Sequence, residues 1–108
     1  MKPIELDQIP DDIFIQDIKE LTESFSIEFP DIFKQLLIEL NVSKDNLFIT
    51  DFIEHQKIAD SYTGYVFDKT HKKMYDYTIK NKKLSIFEVD IKKLTTKNTD
   101  SIRVLDDL

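Results

Sequence analysis

The chain has 108 residues, 41% of them hydrophobic and 33% charged, with a formal net charge of −6; this is one domain's length, enough for a single core without staples. The absence of cysteine excludes disulfides and thiolate metal sites. No apolar run nears the roughly 20 residues of a membrane span, and the start MKPIELDQIPDD has no basic segment followed by an apolar stretch, so a cytoplasmic protein without signal peptide is expected.

Residues 1–10 read as an extended lead-in, because Pro3 and Pro10 disfavour helix just before them. A helix then starts near Asp11 or Asp12, where a carboxylate meets free N–H groups and the positive end of the dipole. Phe14, Ile18, Leu21 and Phe25 fall on one helical face. Asp12, Gln16, Lys19 and Glu23 fall opposite, and Ser24 and Ser26 mark the expected end. In IEFPDIFKQLLIELN (27–41), Pro30 fits the first turn of a second helix, where a missing N–H costs nothing. Asp31 adds negative charge there, and Phe29 is placed to fold back on the helix as a staple. Phe33, Leu36, Leu37 and Leu40 form the expected buried stripe, with Ile32 at its edge and Asn41 as C-terminal cap. Ile38 lies off the stripe and reads as a second packing layer in preference to a partner contact.

After NVSKDN the period changes. LFITDFI (47–53), SYTGYVF (61–67), MYDYTIK (74–80) and KLSIFEV (83–89) read as four strands, rich in Tyr, Phe, Val, Ile and Thr. DKTHKK and NKK read as hairpin links, their lysines as solvated turn residues and edge protection. In the tail, 91–108, Ile91 and Leu94 suit a helix start, TTKNTDS is loop-like, and SIRVL suits a strand or a short helix. The expected fold is a single α+β domain over 1–108, two N-terminal helices packed on one face of a mainly antiparallel four-stranded meander.

Catalytic signals are absent. Gly64 is the sole glycine, which argues against a phosphate loop, a dinucleotide fingerprint or a hydrolase elbow. His71 stands in a lysine-rich turn, and His55 is adjacent to Glu54 on a strand, where neighbours point to opposite faces. No metal-ligand spacing occurs, and nothing calls for a cofactor. The rival is a small hydrolase or transferase built on acidic residues. A stacking platform for nucleic acid has raw material in Tyr62, Tyr65, Phe67, Tyr75, Tyr77 and Phe87. An acidic first half would repel phosphates, however, and the aromatics alternate as a half-buried sheet face does.

The charge is unevenly spread. Residues 1–54 hold 13 carboxylates and 4 lysines, a net −9, whereas residues 55–108 hold 8 carboxylates and 11 basic side chains, a net +3. That polarity favours a protein partner with a basic surface. The candidate contacts are Glu20 and Glu23, away from the first helix's apolar stripe, and Asp51, Glu54 and Asp60 on or beside the first strands, with Tyr62 as an aromatic anchor. For any one carboxylate the plainer reading is a solvated face; the set exceeds what solubility requires.

The stretch IKELTESFSIEFPDIFKQLLIELN resembles the N-terminal signature of the SUKH superfamily, in which an apolar-Pro-acidic step opens a helix that precedes an Asn-Gly turn. Here the step is Phe29-Pro30-Asp31, Phe33 takes the aromatic position, Leu36 and Leu37 the apolar ones, and Asn41 the asparagine, followed by NVSK in place of glycines. GYVFDKTHKKMYDYT is similar to that family's hairpin, and the resemblance spans about residues 13–90. It implies a mixed α/β domain with an antiparallel sheet and no enzymatic activity. Many members act as immunity proteins that bind a bacterial toxin, often a nuclease or deaminase; others are regulatory interaction modules. The acidic first half agrees with the immunity role independently, because a nuclease presents basic surface.

Overall fold

The computed structural model describes residues 11–91 and 105–108. The lead-in 1–10 and the readings of 92–104 lie outside the described residues. Helix α1 spans Asp11–Glu28 and α2 spans Pro30–Leu40; a 3-10 turn (Lys44–Asn46) leads into β1 (Leu47–Glu54), β2 (Ser61–Asp68), β3 (Lys73–Lys80) and β4 (Lys83–Val89). The strands form one antiparallel sheet in the order β1-β2-β3-β4, so the α+β meander is as the sequence leads one to expect. Leu105–Asp107 forms a last 3-10 turn.

Helix α1 continues past Ser24 and Ser26 to Glu28. Ser26 Oγ donates to the Glu23 carbonyl at 2.7 Å, which lets a polar residue sit inside a helix without ending it. The break comes at Phe29 (φ −126°, ψ 62°), because the ring of Pro30 forbids helical geometry in the residue before it. In α2, Ile32, Phe33, Leu36 and Leu40 are buried while Leu37 is half-buried; the stripe is rotated from the expected one by about a residue. Ile38 is 70% exposed and forms no second layer. Asn41 caps the helix in the left-handed conformation (φ 52°, ψ 53°). The Asn41 and Val42 N–H groups donate to Ile38 and Leu37 carbonyls at 3.3 and 3.1 Å, the paired closure that asparagine tolerates.

The sheet carries a core on each face. On one, Leu47, Ile49, Val66, Tyr77 and Ile79 pack with Phe25 and α2. On the other, Phe48, Phe67 and Met74 pack with Ile18, Leu105 and Leu108. The stripe of α1 therefore does not lie on one face of the sheet. Leu21 and Phe25 join the first core, whereas Phe14, Ile15 and Ile18 join the second. The helix runs along the edge of β1, where Thr22 Oγ1 accepts the Ile49 N–H at 2.8 Å and donates to the Ile18 carbonyl at 2.7 Å. A helix thus covers a strand edge that would otherwise expose unpaired backbone groups.

The β1–β2 register shifts between Ile49 and Asp51, leaving Thr50 as a bulge. Past it, the Asp51 carbonyl lies over Gly64 and accepts the Tyr77 hydroxyl at 2.7 Å. The β3–β4 link is the two-residue turn Asn81-Lys82, both at positive φ (52° and 65°), the mirror-image turn whose twist matches the strands. Both histidines shape turns. His55 Nδ1 accepts the Lys57 N–H at 3.2 Å. His71 donates its backbone N–H to the fully buried Asp68 carboxylate at 3.0 Å and pairs with it through Nδ1 at 2.5 Å.

Candidate functional site

The break at Phe29 leaves a cleft of about 340 Å³ at the junction of α1 and α2. Phe29, Ile32 and Ile79 supply its apolar lining, and Glu28, Asp31 and Asp60 its carboxylates, with Tyr62 and Lys82 completing the wall. Two local features set the rim. Asp60 sits in the left-handed region (φ 54°) at the end of the β1–β2 loop, and its carbonyl accepts the Asn81 N–H at 3.1 Å. That bond ties the loop to the β3–β4 turn, which carries Lys82. Glu28 and Asp31 flank the proline step that creates the cleft.

Tyr62 is anchored by rings. It stacks on Phe52 (5.1 Å between centroids, 21°) and meets Phe29 edge-on at 5.2 Å. Phe29 in turn contacts Phe25 at 5.3 Å and Phe52 at 5.7 Å. Phe29 packs against the core that holds Ile32 and Phe33 of α2 and joins this aromatic cluster on β1 and β2 as well. Burial pushes the Tyr62 phenol above its usual range, and the Glu54, Asp60 and Glu28 carboxylates push it further. Those three carboxylates make the local field at the hydroxyl negative.

Of the six candidate contacts, the structure brings three together. Glu54 stands opposite Tyr62 across β1 and β2, and Asp60 shares the cleft with it. Asp51 stands apart: it pairs with Tyr65, on the other sheet face from Tyr62, because the Thr50 bulge shifts the alternation. Burial raises its carboxyl, offset in part by the Thr50 hydroxyl. Glu20 and Glu23 are exposed on α1. Glu20 accepts Gln16 Nε2 at 3.2 Å, and Glu23 borders a separate cleft with Lys19 and Lys44. Sequence reasoning missed Glu28 and Asp31 as site residues, although their position on either side of Phe29-Pro30 was the available signal.

Among the described residues, no group of three or more His, Asp and Glu is arranged to hold a metal ion, and no helix is long and apolar enough to cross a membrane. No protein-family model, curated protein or solved structure matches the chain.

Proposed function

We propose that this chain is a cytoplasmic, non-catalytic immunity protein that binds and neutralises a cognate toxin, a nuclease or other nucleic-acid-modifying enzyme, through its acidic surface. The observation that carries the reading is the cleft that Glu28, Asp31, Asp60 and Tyr62 line above apolar side chains, three carboxylates to the single cation of Lys82, with Glu54 opposite Tyr62. Enzymes that bind polyanions display lysines and arginines around the catalytic centre. An acidic inhibitor complements that surface and accelerates encounter. A ring-anchored tyrosine at the middle of such a patch is the kind of residue that concentrates binding energy. The similarity of the Phe29-Pro30-Asp31 step to the SUKH signature supports the same reading.

The test is co-expression with the product of the adjacent gene. Growth arrest by that product, relieved by this chain, is the expected result. Reversal of Glu28, Asp31, Glu54 and Asp60 to lysine should abolish relief and slow association most strongly at low salt. A neighbour without toxicity would turn the reading to a regulatory interaction module. Equal protection by the reversed chain would remove the cleft from the contact.

A further inference from the structure

The two edges of the sheet are treated differently. The β1 edge is bulged at Thr50 and covered by α1 through the Thr22–Ile49 bond. The β4 edge pairs with no further strand among the described residues. Its ladder with β3 runs unbroken from Lys80 opposite Lys83 to Met74 opposite Val89, and β4 contains neither bulge nor proline. Leu84 and Ile86 on this strand are only half-buried, and Phe87 is 70% exposed.

The turn fixes which backbone groups the edge presents. In a two-residue hairpin the residues flanking the turn exchange hydrogen bonds, and the pattern alternates from there. Lys83, Ser85, Phe87 and Val89 therefore bond inward to β3, while Leu84, Ile86 and Glu88 present their N–H and C=O groups outward. We propose that β4 is a self-pairing edge: two copies of this chain join through antiparallel β4 strands about a two-fold axis at Ser85, forming one sheet twice as wide.

The register follows from chemistry. A two-fold axis perpendicular to the sheet keeps like faces together, so only residues of equal parity stand opposite one another. With the axis at Ser85, Leu84 faces Ile86 of the second copy and Ile86 faces its Leu84, extending the apolar row. Lys82, in the turn just before β4, comes beside Glu88 at the far end of the second copy's strand, twice by symmetry, and Lys83 faces the exposed ring of Phe87. Moving the axis to Ile86 sets Glu88 against Leu84. Moving it to Leu84 sets Ile86 against Lys82. The Ile86 register also sets Ile86 against itself and Lys82 against Asp90, but on the face that carries Leu84 and Ile86 only the Ser85 register sets no charged side chain against an apolar one. Lysine on an edge ordinarily prevents pairing; with Glu88 at the other end of the strand it selects one pairing instead. Lys82 and Glu88 are both exposed; Glu88 also pairs with Lys73 of β3 at 3.3 Å on the surface, so replacing either residue leaves the core intact and costs at most that exposed pair. A single strand pair is a small interface, which places the association at the weak, reversible end.

Sedimentation velocity of the full chain between about 10 µM and about 1 mM reads the association. The wild-type chain should shift from monomer to dimer within that range. Lys82→Glu and Glu88→Lys each set like charges opposite one another twice, and each should weaken self-association about tenfold or more. An equimolar mixture of the two variants restores both opposite-charge pairs and should form a heterodimer. The double variant should dimerise as wild type does, with the melting curve of Lys82→Glu unchanged and those of the two variants carrying Glu88→Lys lowered only slightly by loss of the exposed Lys73 pair. A wild-type chain that stays monomeric throughout overturns the proposal and leaves the edge to an extended strand of another protein. Single variants that dimerise as well as wild type, or a mixture that stays monomeric, overturn it equally.

Discussion

Substituting Gly64 by alanine tests how the bulge, the sheet and the buried tyrosine depend on one another. A Cβ at this position would stand 1.9 Å from the Asp51 carbonyl oxygen, 2.6 Å from its carbon and 2.7 Å from the Tyr77 hydroxyl. Real Cβ atoms essentially never approach closer than 3.0 Å, so β1 and β2 would have to separate by about 1 Å where Phe52 pairs with Gly64. Overpacking of this kind costs about 1–3 kcal/mol. The separation also breaks the 2.7 Å bond from Tyr77 to the Asp51 carbonyl, and a buried hydroxyl left without its partner adds about 1–3 kcal/mol. The expected loss is about 2–6 kcal/mol, a large part of the roughly 5–15 kcal/mol that holds a domain together. Urea unfolding followed by circular dichroism should show a midpoint lowered by about 1 M or more. Tyr77→Phe alone should cost less, and the two changes together less than their sum, because the first already breaks the bond that the second removes. The clash with the Asp51 backbone persists in the double variant, so it should not return to wild-type stability. A Gly64→Ala midpoint within about 0.3 M of wild type would refute the argument, since the strands would then accommodate a methyl group without separating.

Burial raises the Tyr77 phenol well above its usual value of 10.0, with the Asp51 carboxylate adding to the shift. Above that value the folded chain keeps a proton that the unfolded chain loses, so stability is fully present below pH 10 and is lost as pH rises further. Tyr77→Phe should flatten this alkaline decline, as read by urea midpoints on either side of pH 10. His71→Ala removes the ring that partners the fully buried Asp68 and should cost about 1–3 kcal/mol in thermal or urea unfolding. Adding Asp68→Asn should recover part of that loss, because a neutral amide tolerates burial better than a carboxylate left with only the residue 71 backbone N–H.

Much of this fold is legible in the chain because it is encoded between neighbours. The change from helical to alternating period places all four strands to within a residue or two. Pro30 and Asn41 act through their own backbone preferences, which need no distant partner. The tertiary structure decided what joins residues far apart in sequence. The stripe of α1 is regular, yet it divides between two cores because the helix lies on the β1 edge. Phe29 belongs to the ring cluster with Phe52 and Tyr62, a grouping that exists only once the sheet stands beside the helix break. Glu28 and Asp31 join Asp60 and Tyr62 in the cleft for the same reason. Asp51 is the clearest case. Strict alternation from Leu47 and Ile49 would put it on the face that carries Tyr62, and one extra residue at Thr50 sends it to the other. Because side chains alternate with a period of two, a single bulge reverses every assignment beyond it, and this one is visible only in the pairing of β1 with β2.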